Sequence, residues 1–327
     1  MRAIHVERPG GPEALQPIEL PIPVPADGEV RVRVASIGVN FADVLCRRAT
    51  HRSMRPPPIV PGCEAAGVID ACGPGVDPGR VGERVGVYSP FGGAYAEWLV
   101  VPSAYALPLP DTMGFEDAAA FTHLALTADA ALHRVGDARP GMTLLVTAAA
   151  GGLGSMLTQY ALSVGLRVFA AAGSADKCAT LEGRGFEGVF DYGHADFDSQ
   201  VLEATGGRGV DRVVETVGGD LYARCEALLA PLGRIVIAGA ASGALAQPQA
   251  ATLLDRSASV ATLNLSVIYA TAPDAMRGTW NALVTRYLDG HLVPRIGHRF
   301  VLADAIDAHR LIESRRSRDK IVLAPGR

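Results

Sequence analysis

Hydrophobic positions change their spacing twice along this chain. Up to about residue 120 they come in short β-branched runs broken by glycine and proline, such as Val30-Arg31-Val32-Arg33-Val34 and Arg84-Val85-Gly86-Val87-Tyr88. The alternation in the first run predicts a half-buried strand with its arginines outward, and Pro56-Pro57-Pro58 and Gly92-Gly93 read as loops between such strands. From about 140 to 240, apolar runs at 143–147, 167–171, 188–192, 210–216 and 234–238 alternate with helical stretches. Runs of this kind predict strands covered on both faces. Between the first two, Leu153, Met156, Leu157, Tyr160, Ala161 and Val164 recur at helical spacing as one buried stripe, which Gly165 ends. Strands joined by such helices imply right-handed crossovers and a parallel, doubly wound α/β sheet. Beyond about 260 the pattern is mixed: a strand-like run at 260–265, helices around 273–288 and 303–314, and a last strand Lys320-Ile321-Val322-Leu323. So short a C-terminal segment is expected to complete the first zone. Residues 1–122 and 262–327 then form a mostly-β domain, interrupted by an α/β domain over 123–261.

Composition narrows the class. The 327 residues carry 30 Lys+Arg against 34 Asp+Glu, a net charge of −4, and 49% are apolar. That is enough for two globular domains with their own cores and excludes a disordered or fibrous chain. A mildly acidic chain without a polybasic run has no electrostatic footprint for nucleic acid or a membrane surface. The first residues lack an apolar signal region, and no apolar run reaches spanning length. Five cysteines, at 46, 63, 72, 178 and 225, form an odd set without CxxC spacing, so reduced thiols in a cytoplasm are expected.

The strongest local signal is Leu144-Leu145-Val146-Thr147-Ala148-Ala149-Ala150-Gly151-Gly152-Leu153-Gly154, a strand running through small residues into a helix expected to begin at Gly154. Small residues at Ala148, Gly151 and Gly154 allow a tight turn and close backbone approach to a pyrophosphate at the helix N-terminus. The spacing is Ala-x-x-Gly-x-x-Gly, and its place between strand and helix, first in a βαβ series, points to a dinucleotide. The second strand ends Ala171-Ala172-Gly173-Ser174-Ala175-Asp176-Lys177, with no acid at its tip for a ribose 2′-hydroxyl. Ser174 and Lys177 suit a 2′-phosphate instead, which favours NADPH. Alternatively, Ser174 caps the next helix and Lys177 is one of its solvated residues.

Over nearly its full length the sequence resembles the quinone oxidoreductase (zeta-crystallin) branch of the medium-chain dehydrogenase/reductase superfamily. The matching segments are Gly10-Gly11-Pro12-Glu13, Gly38-Val39-Asn40-Phe41-Ala42-Asp43, Pro61-Gly62-Cys63-Glu64-Ala65-Ala66-Gly67, Gly82-Glu83-Arg84-Val85, the segment 148–154, Gly239-Ala240-Ala241-Ser242-Gly243 and Lys320-Ile321-Val322-Leu323. The resemblance implies a GroES-like, mostly-β catalytic domain interrupted by a doubly wound Rossmann domain, and a homodimer. It places cofactor contacts on Asn40, Thr127, Ala148, Gly151, Gly152, Leu153, Gly154, Ser174, Lys177, Tyr192 and Gly218. Gly239, Ala240 and Ala241, in the loop ending a strand, are expected to border the nicotinamide. Tyr192 also reads as an ordinary strand-end aromatic, and Asn40 as a turn residue.

Three departures bear on the chemistry. Leu45 and His51 stand where the family often has tyrosines, and Ala125 replaces a glycine. His51 is a candidate proton donor, although Ala49-Thr50-His51-Arg52-Ser53 also reads as a polar, solvated loop. Asn40, Cys63 and His123 align with the metal ligands of the zinc alcohol dehydrogenases. Asparagine is a poor zinc ligand, Glu64 is one further oxygen, and no metal is expected. The implied reaction is hydride delivery from NADPH to a quinone or enone in an apolar cleft, with Asn40 and His51 as catalytic candidates. Alternatives are an enoyl-thioester or biosynthetic tailoring reductase of the same fold, and a non-catalytic NADPH-binding protein.

Overall fold

Continuous burial on both faces is what the short apolar runs of residues 140–262 need, and a parallel sheet flanked by helices supplies it. The structure, a computed structural model, describes residues 1–326, without the side chains of 273 and 274. Its second compact unit comprises Ala125–Ile268 and Arg286–Val293. Six strands lie there in the spatial order Gly188–Asp191, Arg167–Ala172, Thr143–Val146, Val210–Glu215, Leu229–Ile237, Ser259–Thr262. Every neighbouring pair is parallel. The direction of winding reverses between Thr143–Val146 and Val210–Glu215, and ligands of doubly wound sheets bind at that point. The helix Gly152–Ser163 covers one face, with Met156, Leu157, Tyr160 and Ala161 buried and Leu153 and Val164 half-buried at its ends. Gly165, at φ 80°, terminates it.

Two local expectations are corrected. The helix begins at Gly152 and not at Gly154, because the Ser155 N–H already reaches the Gly151 carbonyl at 2.8 Å. The strand-like run 260–265 is cut after Thr262: the Asn264 side chain accepts from the Val267 N–H at 3.3 Å and opens the helix Leu265–Thr271.

The first unit comprises Met1–Leu124, Tyr269–Thr285 and the chain from Pro294 onward. Its sheet has the order Ile296–Val301, Lys320–Ala324, Glu29–Val39, Glu64–Cys72, Arg84–Tyr88, Ala106–Pro108, with Trp98–Pro102 also paired to Glu29–Val39. In Glu29–Val39 the valines 30, 32 and 34 are buried, Arg33 is exposed and Arg31 binds Asp70 at 2.8 Å. From Ser36 the alternation gives way to continuous burial. There Gly38 is a steric necessity: a Cβ on it would lie 2.2 Å from the Ala119 carbonyl. Among the described residues no helix is long and apolar enough to cross a membrane.

The glycine turn yields a direct test. A Cβ on Gly154 would lie 2.2 Å from the Ala148 oxygen and 2.6 Å from the Ala149 Cα, both backbone atoms, whereas one on Gly114 meets nothing within 4 Å. Gly154→Ala is expected to cost about 1–3 kcal/mol in denaturant unfolding, and Gly114→Ala no more than about 0.5 kcal/mol. Equal stability of the two variants would show that the turn can relax.

Candidate functional site

Where the winding of the second unit's sheet reverses, the ends of Thr143–Val146 and Val210–Glu215 are tied together by the residues that follow them. The Thr147 N–H donates to the Val214 carbonyl (3.2 Å), and the Thr216 N–H donates to Thr147 Oγ1 (2.9 Å). Between them the buried Glu215 carboxylate accepts from the Val217 N–H (2.7 Å), the Gly218 N–H (2.9 Å) and Thr147 Oγ1 (3.4 Å). Burial raises the Glu215 pKa, and the backbone N–H groups oppose that rise. Bonds from Ala238 N–H to Glu215 O (2.8 Å) and from Ala241 N–H to Thr216 O (3.1 Å) lay the next loop along this exit. Gly239, Ala240 and Ala241 thus sit beside Thr216, and Gly218 packs so closely that a Cβ would lie 2.2 Å from the Ala244 oxygen.

On the other side of that reversal Ala148 takes φ 49°, turning the chain into the helix Gly152–Ser163. Gly151 is the N-cap and supplies no side-chain bond, which leaves the first N–H groups of Gly152, Leu153 and Gly154 to an anion. At the tip of the second strand Ser174 caps the helix Ala175–Ala179, its Oγ accepting from the Lys177 N–H at 3.4 Å while keeping its own O–H. Asp176 is exposed. The Tyr192 ring lies against Gly173, where a Cβ would stand 2.9 Å from the phenol oxygen. Ser174, Lys177 and Tyr192 therefore share one corner. Thr127, also of the second unit, is buried on the helix Phe115–Asp129.

Asn40 and His51 belong to the first unit, and a buried polar cluster surrounds Asn40. Asn40 precedes the helix Phe41–Arg47, where its N–H donates to Asp43 Oδ2 (2.8 Å). Its Nδ2 donates to Cys63 Sγ (3.4 Å) and Glu64 Oε2 (3.1 Å), and its Oδ1 accepts from Lys320 Nζ (2.6 Å). Lys320 also donates to Glu64 Oε2 (2.6 Å), and Glu64 Oε1 accepts from the His123 N–H (2.6 Å). The Glu64 and Lys320 side chains are 0% and 3% exposed. Glu64, Lys320 and His51 all act electrostatically on the His123 imidazole, whose Nδ1 is shielded from solvent, and burial pushes its pKa down to about 4.

From Asp43 a second chain leads inward. Arg47 has only donors, so its Nη1 donates to His309 Nδ1 (2.9 Å). The His309 proton is then on Nε2, facing Tyr95 Oη at 3.0 Å, and the Tyr95 hydroxyl donates to Asp43 Oδ2 (3.3 Å). Burial, with Arg47 alongside, pushes His309 down to about 3. Burial pushes Asp43 up to about 6.

His51 is half-buried, and its Nδ1 accepts from the N–H groups of Ser53 (3.2 Å) and Met54 (3.0 Å). Its proton sits on Nε2, and burial lowers its pKa. Its own N–H bonds the Leu45 carbonyl (3.2 Å), so the two positions where the family often has tyrosines are neighbours. A cavity of about 470 Å³ lined by Arg2, Ile4, Ile18, Val301 and Leu302 shares no residue with this cluster.

The sequence marked the glycine turn by its strand-to-helix pattern, Ser174 and Lys177 by a strand tip without an acid, and Tyr192 by the resemblance. It missed Thr147, Glu215 and Thr216, and in the first unit Asp43, Arg47, Tyr95, His309 and Lys320. The one available signal was charge inside apolar runs, Glu64 before Ala65-Ala66-Gly67 and Lys320 before Ile321-Val322-Leu323. Charges of opposite sign in such places need partners.

The comparisons with known proteins agree with this geometry. A model of the alcohol dehydrogenase GroES-like domain matches residues 26–111, and a zinc-binding dehydrogenase model matches residues 184–323. A quinone oxidoreductase of Pseudomonas aeruginosa is 32% identical over 97% of both chains. A phenolphthiocerol/phthiocerol polyketide synthase chain of Mycobacterium tuberculosis is 32% identical over 98% of this chain, which spans 15% of that protein. The structure of Escherichia coli quinone oxidoreductase complexed with NADPH superposes with a TM-score of 0.91 at 30% identity, covering 99% of this chain and 100% of that one. A GroES-like domain interrupted by a Rossmann sheet defines a medium-chain dehydrogenase/reductase. Within that superfamily the chain belongs to the quinone oxidoreductase family and is an oxidoreductase.

Zinc, which one of the matching models implies, does not suit these donors. Burial beside Asp43 and Glu64 holds the Cys63 thiol well above its usual range, away from the thiolate that zinc binds. The oxygens of Glu64 and Asn40 already share the Lys320 ammonium, which a divalent ion would have to displace.

The buried titrating groups set an acid limit on stability. His123 and His309, lowered from 6.5 to about 4 and about 3, contribute stability above pH 6.5 that is lost as pH falls. Asp43, raised from 3.8 to about 6, contributes below pH 3.8 and loses that contribution as pH rises through about 6. Between pH 4 and 6 the unfolded chain takes up two imidazole protons for the one that folded Asp43 retains, so stability falls on acidification. Asp43→Asn removes the opposing group. Its denaturant midpoints from pH 7 to 4.5 should fall more steeply than wild type, by up to about 1.4 kcal/mol per pH unit. Parallel curves would mean that Asp43 titrates at its ordinary value.

Proposed function

We propose that this protein is an NADPH-dependent reductase of quinones. The observation that carries this reading is the pairing of an uncapped helix N-terminus at Gly151 with the Ser174–Lys177–Tyr192 corner, which has no carboxylate at the strand tip. The backbone of Ala148 to Gly154 holds the pyrophosphate, and Ser174, Lys177 and Tyr192 hold the 2′-phosphate end. Gly218, Gly239, Ala240 and Ala241 border the nicotinamide, and Thr127 steadies it. The NADPH complex of the E. coli relative supports this choice of dinucleotide.

When bound, NADPH supplies the hydride. Both N–H donors of Asn40 are engaged by Cys63 and Glu64, so Asn40 can meet a reacting molecule only as an acceptor, through Oδ1. His51 presents a neutral Nε2–H, since burial disfavours its imidazolium. A neutral imidazole is a weak acid, adequate for a quinone, whose reduced oxygen needs little protonation, and inferior for the more basic enolate of an enone. The weak donor therefore favours quinones over enones. The likeness to part of a polyketide synthase favours, as a second reading, an enoyl-thioester acceptor. The cysteines at 46, 63, 72, 178 and 225 are free, which suits a reducing cytoplasm, and the assembly proposed is the homodimer that the resemblance implies.

Titration of NADPH and NADH into wild type and Lys177→Ala, read by nicotinamide fluorescence, tests the cofactor. NADPH is expected to bind at least about ten-fold more tightly, and the variant to lose only that preference. Equal affinity for both would reduce Ser174 and Lys177 to a helix start. In a panel of quinones, enones and enoyl thioesters, quinones are expected to turn over fastest. NADPH binding with no acceptor reduced would leave the non-catalytic reading.

A further inference from the structure

We propose that the Lys320 ammonium is the built-in cation of the Asn40 cluster and, with Glu64, positions the Asn40 carboxamide for hydride transfer. This inference rests on the functional reading above, in which Asn40 is a catalytic candidate that offers an acceptor to the reacting molecule.

Strand register brings the three side chains together. Lys320–Ala324 pairs antiparallel with Glu29–Val39, Ile321 opposite Val39, so Lys320 falls opposite Asn40. On the other side, Ile37 stands opposite Ala65, which brings Glu64 opposite Gly38. The absent side chain of Gly38 makes the room: a Cβ there would lie 2.5 Å from Glu64 Oε2.

The two ends of a carboxamide have nearly the same shape, and only their partners tell them apart. Lys320 has donors alone and must face Oδ1. An ionised Glu64 has acceptors alone and must face Nδ2. Turning the amide over would set N–H against ammonium and C=O against carboxylate. The ion pair thus admits a single orientation, at 2.6 Å from Nζ to Oδ1 and 3.1 Å from Nδ2 to Oε2. Cys63 takes the other N–H at 3.4 Å. What remains is the Oδ1 side of the amide, an acceptor suited to a hydroxyl of reduced substrate. Lys320 and Glu64 are accordingly positioning residues. They act through Asn40.

The test separates that role from stability. Lys320→Met/Glu64→Gln removes both charges together and leaves no ion without its partner. It is expected to bind NADPH within about two-fold of wild type and to keep the acceptor KM within about three-fold. Its kcat should fall about ten-fold or more, as expected when a reacting geometry is lost. If the pair acts through Asn40, adding Asn40→Ala to this double variant lowers kcat no further, although Asn40→Ala alone lowers it in wild type. Lys320→Arg, which keeps the charge and displaces its donors, is the second variant, expected to lower kcat at unchanged NADPH affinity. Wild-type kcat in the double variant or in Lys320→Arg would overturn the inference. So would an Asn40→Ala loss of equal size in both backgrounds. Wild-type protein that binds NADPH and reduces no acceptor would overturn the functional reading first, and this inference with it.

Discussion

A carboxylate with no exposed surface needs partners for its charge, and Glu64 finds them on three separate stretches of chain. Its Oε1 takes the His123 N–H from the helix Phe115–Asp129, and its Oε2 takes Asn40 and Lys320. The pair is held by geometry as much as by attraction, since removing one partner of a buried ion pair typically costs about 3–5 kcal/mol. Asn40 is in turn tied to Asp43 at the start of Phe41–Arg47, so the chain of Tyr95, His309 and Arg47 hangs from the same point. Most of the first unit's site therefore depends on one neutralised charge.

The second unit solves a different problem. A dinucleotide phosphate needs backbone N–H groups that no side chain has claimed, and it needs the backbone to come close. The turn achieves this at a steric cost, with Ala148 in the left-handed region and Gly154 packed against the Ala148 oxygen. The divergent strand ends are then tied to one another by hydrogen bonds of Thr147, Glu215 and Thr216. One unit offers backbone dipoles and the other a buried side-chain cluster.

Much of this is legible in the chain, unevenly. The strand Arg84–Tyr88 and the helix Pro273–Leu288 fall where the hydrophobic spacing places them: the strand is buried continuously from Val85 to Tyr88, and the helix buries Met276, Trp280 and Leu283 along one face. The run 260–265 misleads because a polar cap at Asn264 ends it, and a cap is a hydrogen bond that periodicity does not record. The start of the helix after the glycine turn escapes periodicity for the same reason.

Apart from the cap at Asn264 and the exact start of the helix after the glycine turn, what the sequence determined by itself depends on near neighbours: the periods, the alternation of strand and helix, the glycine turn and the absence of an acid after the second strand. It determined the family too, since ordered motifs are local signals repeated along the chain. Tertiary structure alone decided what the polar residues do. Lys320 meets Asn40 and Glu64 across separations of 280 and 256 residues, and His309 meets Arg47 across 262. No spacing rule links positions so far apart. They are joined by strand register and burial, which exist only once the sheet has formed.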